Sequence, residues 1–64
     1  KYDYELALVS DALITLLLEA WRKLGDERYL EYAKKLYEKS VEIWKKYGFI
    51  VKATELKNKY RDIL

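Results

Sequence analysis

Residues able to carry out acid–base, nucleophilic or metal chemistry are few and scattered in this chain. Histidine and cysteine are absent, which removes the commonest general base and the most reactive side-chain nucleophile. Ser10 and Ser40 have no base at helical spacing. The carboxylates of Glu5, Asp11 and Glu19 are too widely spaced to share one proton, and no set of ligands converges on a metal. We therefore expect no enzyme activity, no cofactor and no metal site.

The composition is typical of one small folded domain. Of the 64 residues, 52% are hydrophobic and 38% are charged, which excludes a disordered chain. The net charge is +2 with the two signs interspersed, so we expect no nucleic-acid partner. The longest apolar stretch, Leu6–Leu18, is shorter than the roughly 20 residues of a membrane span. Lys1 does not begin an apolar run, so we expect no signal peptide, and the missing Met suggests that a leader or tag was removed.

Two glycines divide the chain into three predicted helices, at about residues 2–24, 26–47 and 49–64. Gly25 suits the left-handed position after a helix, and Asp26 is a good N-cap for the next helix. Gly48 is the second terminator. The third helix begins either with Gly48 as its cap or later, near Thr54. Because both connections are short, the fold class predicted is an all-α, antiparallel, up-down-up three-helix bundle.

The second and third helices have clear inner faces at about 100° per residue. The second helix is apolar on one half and charged on the other, with small residues at the middle of the apolar half. The third helix has a narrower apolar stripe. The second helix contributes Tyr29, Leu30, Ala33, Leu36, Tyr37, Ser40, Val41, Ile43, Trp44 and Tyr47, and the third Phe49, Ala53, Leu56, Tyr60, Ile63 and Leu64.

The first helix is more apolar than one core-facing side requires. Its predicted core face consists of Leu6, Val9, Leu13, Leu16, Leu17, Ala20 and Leu24, widened by Ala7, Ile14 and Trp21. A second, outward strip remains, and each large apolar side chain there would forgo roughly 1.5–3 kcal/mol by staying in water. This predicted strip consists of Tyr4, Leu8, Asp11, Thr15, Leu18 and Arg22, with Val51 as a possible contribution from the third helix. Its mixture of residue types resembles the centre of a protein interface. The alternative is a rolled helix in which Leu8 and Leu18 are partly covered by the third helix.

The segment Leu24–Glu31, continuing into Lys34–Lys39, resembles the second helix of de novo designed three-helix miniprotein binders. Those proteins are cysteine-free chains of this length with Gly-Asp helix joints. The resemblance implies an apolar patch on one or two helices, directed against a chosen protein target as a binder or inhibitor.

A second resemblance is to tetratricopeptide-like helical hairpins. Ala33, Tyr37 and Ser40 match the small-aromatic-small spacing of that family, and Lys23–Asp26 is similar to its inter-helix turn. Both resemblances imply protein binding. The sequence therefore predicts a protein-binding module, monomeric when free, that presents the predicted strip. The alternatives are a natural helical adaptor fragment, a homo-oligomerising bundle that uses the same strip, and a designed bundle without a partner.

Overall fold

Three helices make up the computed structural model, which describes residues 2–64, with side chains from residue 3 onward. Helix α1 spans Tyr2–Leu24, α2 spans Glu27–Lys46 and α3 spans Ile50–Tyr60. Helix α1 packs on α2, and α2 packs on α3, with short connections that reverse the chain. The predicted all-α three-helix bundle is confirmed.

The joint between α1 and α2 has the predicted stop and start. Gly25 has a φ of 67°, and its N–H donates to the Trp21 carbonyl at 2.8 Å. Asp26 is the N-cap of α2, and its carboxylate accepts from the backbone N–H of Arg28 at 3.0 Å. The Arg28 guanidinium also donates to both oxygens of the same carboxylate. The two helices therefore reverse direction within two residues.

The start of α3 differs from both predicted alternatives. Gly48 has a φ of 82°, as a residue ending α2 requires. Phe49 then occupies the N-cap of α3 without any side-chain cap hydrogen bond. Its ring instead packs edge-on against Trp44, with 5.5 Å between the ring centroids. Aromatic packing thus fixes the start of α3 where a polar cap is absent.

The end of α3 lies four residues before the predicted one. The N–H groups of Ile63 and Leu64 both donate to the Tyr60 carbonyl, at 3.1 and 2.8 Å. Two donors on one carbonyl make a tightened turn, which is common at the C-terminal end of a helix. The prediction of helix to residue 64 is therefore wrong.

The core is built around α2, as its two-sided pattern predicts. The buried residues of α2 are Ala33, Ser40, Val41, Ile43 and Trp44, and those of α3 are Ala53, Leu56 and Tyr60. All of them belong to the predicted inner faces. Ser40 is fully buried and donates to the Leu36 carbonyl at 2.8 Å. No buried side-chain nitrogen or oxygen lacks a hydrogen-bond partner in the part of the chain that the structure describes.

Helix α1 is rolled about its axis relative to the prediction. Its fully buried residues are Ala7, Ser10, Ile14 and Leu18. Ala7 and Ile14 belong to the predicted core face, and Leu6, Leu17 and Trp21 of that face also pack against the core, as predicted. Val9, Leu13, Leu16 and Leu24 of the same face are exposed. The predicted exposure of Leu18 is therefore wrong, and the rolled alternative is correct for this residue.

Small side chains and polar contacts explain this roll. Ala7 and Ser10 leave room for close packing of α1 on its neighbours, and the Ser10 hydroxyl donates to the Ala7 carbonyl at 2.8 Å. Asp11 lies on the side of α1 that faces α3, where Tyr60 and Lys59 both donate to its carboxylate. One apolar arc of α1 contains Ala7 and Ile14, and the other contains Leu13 and Leu16. Because both arcs are apolar, these contacts decide which arc faces inward.

Candidate protein-contact surface

The predicted strip is not a continuous exposed surface. Its first residue, Tyr4, is half-buried in an aromatic cluster. The Tyr4 ring lies edge-on to Trp44 at 5.7 Å and to Tyr47 at 5.8 Å, and it lies 5.9 Å from the ring of Phe49. Tyr4 therefore holds the start of α1 against the joint between α2 and α3.

The middle of the predicted strip is engaged with α3. The Lys59 ammonium donates to the two carboxylate oxygens of Asp11 at 3.0 and 2.9 Å, and the Tyr60 hydroxyl donates to the same carboxylate. Thr15 donates to the Asp11 carbonyl at 3.0 Å, and its hydroxyl lies 3.3 Å from that of Tyr60. This group of side chains bridges α1 and α3, so it serves the fold.

The bridge shifts the ionisation of its three titratable groups. The hydrogen bond from Tyr60, followed by that from Lys59, lowers the pKa of Asp11. The hydrogen bond to Asp11 raises the pKa of Lys59. Burial, followed by the hydrogen bond to Asp11, raises the pKa of Tyr60. At neutral pH the bridge therefore consists of a carboxylate, an ammonium and a neutral phenol.

Five residues of the predicted strip are exposed: Leu8, Asp11, Thr15 and Arg22 on α1, and Val51 on α3. Leu8 and Arg22 are 14 residues apart on α1, which is about 21 Å along the helix. Val51 lies in the first turn of α3 and is also exposed. Between Leu8 and Arg22 lie buried Leu18 and the Asp11 bridge. The structure does not bring the seven predicted residues together as one contact surface.

The largest exposed apolar area of α1 lies on the other side of the helix. Val9 is 52% exposed, Leu13 40%, Leu16 61% and Leu24 67%. Together with half-buried Ala20, they follow one another at intervals of three or four residues, so they lie along one side of the helix. We call Val9, Leu13, Leu16, Ala20 and Leu24 the exposed α1 face.

Helix α2 extends this apolar area on the side of the bundle away from α3. Tyr37 marks the flank of α2 that faces α3, because its ring lies 6.1 Å from that of Tyr60. Tyr32 lies on the opposite flank at about 100° per residue, and its side chain is exposed. The exposed α1 face is likewise turned away from the Asp11 bridge. Tyr32 thus adds one exposed ring on the side of the bundle away from α3.

Sequence reasoning assigned this face to the core because its apolar spacing is the more regular of the two arcs. The small residues Ala7 and Ser10 indicate the side of α1 that the structure buries. Small residues one or two turns apart mark the side on which helices approach closely, as Ala33 and Ser40 do on α2. The pairing of Asp11 with Tyr60, 49 positions later, has no local signal.

An open groove of about 390 Å³ separates the Leu8 side of α1 from α3. The charged groups in its walls are two ammonium and two carboxylate groups, which balance one another. They belong to Asp11, Lys52, Glu55 and Lys59. Within residues 2–64 no three carboxylates gather as a metal site would require, and no helix is long and apolar enough to cross a membrane. Because its charges balance, the groove does not favour a charged ligand, and the exposed α1 face is the stronger candidate for a contact surface.

No protein-family model, curated protein or solved structure matches this chain. The function must therefore be argued from the surface of the molecule itself.

Proposed function

We propose that the protein is a protein-binding module whose contact surface is the exposed α1 face. The observation that carries the proposal is the exposure of Val9, Leu13, Leu16 and Leu24 along one side of α1. Single exposed apolar residues are normal, whereas a continuous apolar row on a small domain is typical of an interaction site. The proposed contact lies on the side of α1 opposite to the predicted strip.

The exposed apolar side chains of this face can supply part of the free energy of specific binding. The exposed fractions of its four large residues amount to roughly two whole side chains. Covering them with a partner would gain about 3–6 kcal/mol, since a fully buried aliphatic side chain gains roughly 1.5–3 kcal/mol. Tyr32, on the adjoining flank of α2, adds a residue type that is enriched in energetically dominant contacts.

The mechanism is the rigid presentation of a preformed helical surface. Helix α1 has 23 residues and packs along α2, so its backbone is ordered before the partner arrives. Little further backbone entropy is lost on binding, and more of the buried area contributes to affinity. This proposal agrees with the resemblance of Leu24–Glu31 to designed three-helix binders, and we propose the same class of function here.

Two matched substitutions test the proposal. Leu8 and Leu16 are similarly exposed leucines of α1, but Leu8 belongs to the predicted strip and Leu16 to the exposed α1 face. The labelled wild-type chain, Leu8→Asp and Leu16→Asp would be applied to an array of purified proteins. Circular dichroism would check that all three have the same helicity.

We expect at least one arrayed protein to bind the wild-type chain. Leu16→Asp should weaken that binding at least about tenfold, because a charge would be buried at the centre of the contact. Leu8→Asp should change it less than about threefold. Binding that depends on Leu8 and not on Leu16 would contradict the proposed surface. An array with no protein that binds in a Leu16-dependent manner would contradict the proposed function.

A further inference from the structure

We infer that the exposed α1 face also pairs weakly with a second copy of this chain, in an antiparallel, two-fold arrangement. The inference rests on the proposed function, because it uses the same apolar surface and names one occupant for it. Three features of α1 support a second copy: the spacing of the face, the order of its large and small residues, and the charges beside it.

The spacing suits packing between two helices. Val9, Leu13, Leu16 and Ala20 of the exposed α1 face are separated by alternating steps of four, three and four. This is the spacing with which two helices pack their side chains into each other along a shared seam. Val9 and Leu16 of this seam are more than half exposed, so a second helix has access to it.

The order of side chains makes the face complementary to itself when one copy is reversed. A two-fold axis between Leu13 and Leu16 places Leu13 of one copy opposite Leu16 of the other. The same axis places Val9 opposite Ala20, so that a larger residue meets a smaller one. Contacts of this kind, in which one patch meets itself, are the commonest in protein dimers.

The charges beside the face select the antiparallel direction. Glu5 and Lys23 are 18 residues apart, which is five helical turns, so they lie on one line about 27 Å long. Both side chains are exposed, and neither forms an ion pair within residues 2–64. The two-fold axis brings Glu5 of each copy beside Lys23 of the other. In a parallel arrangement the charged lines of the two copies would lie on opposite sides of the seam, so Glu5 and Lys23 would not meet.

The expected dimer is weak because the contact is small. The apolar row occupies one side of one helix with an adjoining flank, which is less than a standard interface of about 800 Å² per partner. We therefore expect a dissociation constant of roughly 10 μM to 1 mM. Dilute protein is then monomeric, and a target protein can displace the second copy.

Sedimentation equilibrium of the complete chain, from about 10 μM to 1 mM, tests this pairing. The apparent mass should rise with concentration from 7.7 kDa towards twice that value. Lys23→Glu should weaken association about three- to thirtyfold, because two exposed ion pairs become repulsive contacts. The double variant Glu5→Lys with Lys23→Glu should return to within about threefold of the wild type, since the two charges exchange places. Lys34→Glu, on the side of α2 turned away from Tyr32, is the matched control and should leave association unchanged.

Several outcomes would overturn the pairing. A wild-type chain that stays monomeric at 1 mM has no second copy on this face. Lys23→Glu without effect, or no recovery in the double variant, contradicts the antiparallel arrangement. Circular dichroism of dilute samples excludes unfolding as a cause. If the mass stays at that of a monomer while the array still shows Leu16-dependent binding, the proposed function stands and the self-pairing alone is wrong.

Discussion

Two leucines of α1, only two positions apart, should respond very differently to truncation. Leu18 is 3% exposed and packs in the core, whereas Leu16 is 61% exposed on the other side of the helix. Both are replaced by alanine, so the change in helix propensity is the same and cancels in the comparison. The prediction depends on the roll of α1, which places one leucine inside and the other in water.

The expected magnitudes follow from burial. Leu18→Ala removes a nearly fully buried side chain and leaves a cavity, so it should lower the free energy of unfolding by about 2–5 kcal/mol. Leu16 buries only about two-fifths of its surface, so Leu16→Ala should lower it by less than about 1 kcal/mol. For a domain of this size each kcal/mol shifts the melting temperature by roughly 4–8 °C. Leu18→Ala should therefore melt at least about 8 °C below the wild type.

Urea denaturation followed by far-UV circular dichroism measures both free energies. The slope against urea concentration must match the wild type, since a changed slope reports a changed unfolded or native state. Equal losses for the two variants, or a larger loss for Leu16→Ala, would refute the orientation of α1 described above. The proposed contact surface would fail with it, because Leu16 would then belong to the core.

Three further perturbations test the bridge, the second joint and the buried serine. The pKa of Asp11 is lowered in the folded chain, so its ionised form stabilises the fold at neutral pH and this contribution is lost as the pH falls below about 4. Asp11→Asn should therefore lower stability at pH 7 and flatten its fall between pH 5 and pH 2, as measured by urea denaturation across that range. Gly48→Ala should lower the free energy of unfolding by roughly 1–2 kcal/mol through its left-handed backbone alone, since a Cβ there meets nothing within 4 Å; no change in denaturation midpoint would contradict this. Ser40→Ala should change stability by less than about 1 kcal/mol and leave binding unchanged, because its hydroxyl bonds only to its own helix; lost binding with intact helicity would give Ser40 another role.

The parts of the fold with one strong local signal could be predicted from the sequence. Helix α2 is apolar on one half and charged on the other, so its inner face was predicted correctly. The joints were predicted from Gly25, Asp26 and Gly48, whose backbone and capping roles are local. The start of α3 was not, because Phe49 is held there by the rings of other elements and not by a cap of its own.

The orientation of α1 could not be predicted because both of its arcs are apolar. Periodicity ranks arcs by hydrophobicity, and Leu13 and Leu16 belong to the more hydrophobic one. The structure buries the arc with Ala7 and Ser10, which allows closer packing of the helices. Leu18 of the predicted strip is buried for the same reason. Choosing between the arcs required the contacts of α1 with α3.

The Asp11 bridge explains why the more hydrophobic arc remains in water. Turning α1 to bury Leu13 and Leu16 would carry Asp11 away from Tyr60 and Lys59. The buried Tyr60 side chain would then hold a hydroxyl without its strongest acceptor, at a cost of about 1–3 kcal/mol. The ion pair with Lys59 is exposed and adds little by itself. One part-buried hydrogen bond between distant residues thus makes the two apolar arcs unequal, and it leaves Val9, Leu13 and Leu16 of the regular arc exposed.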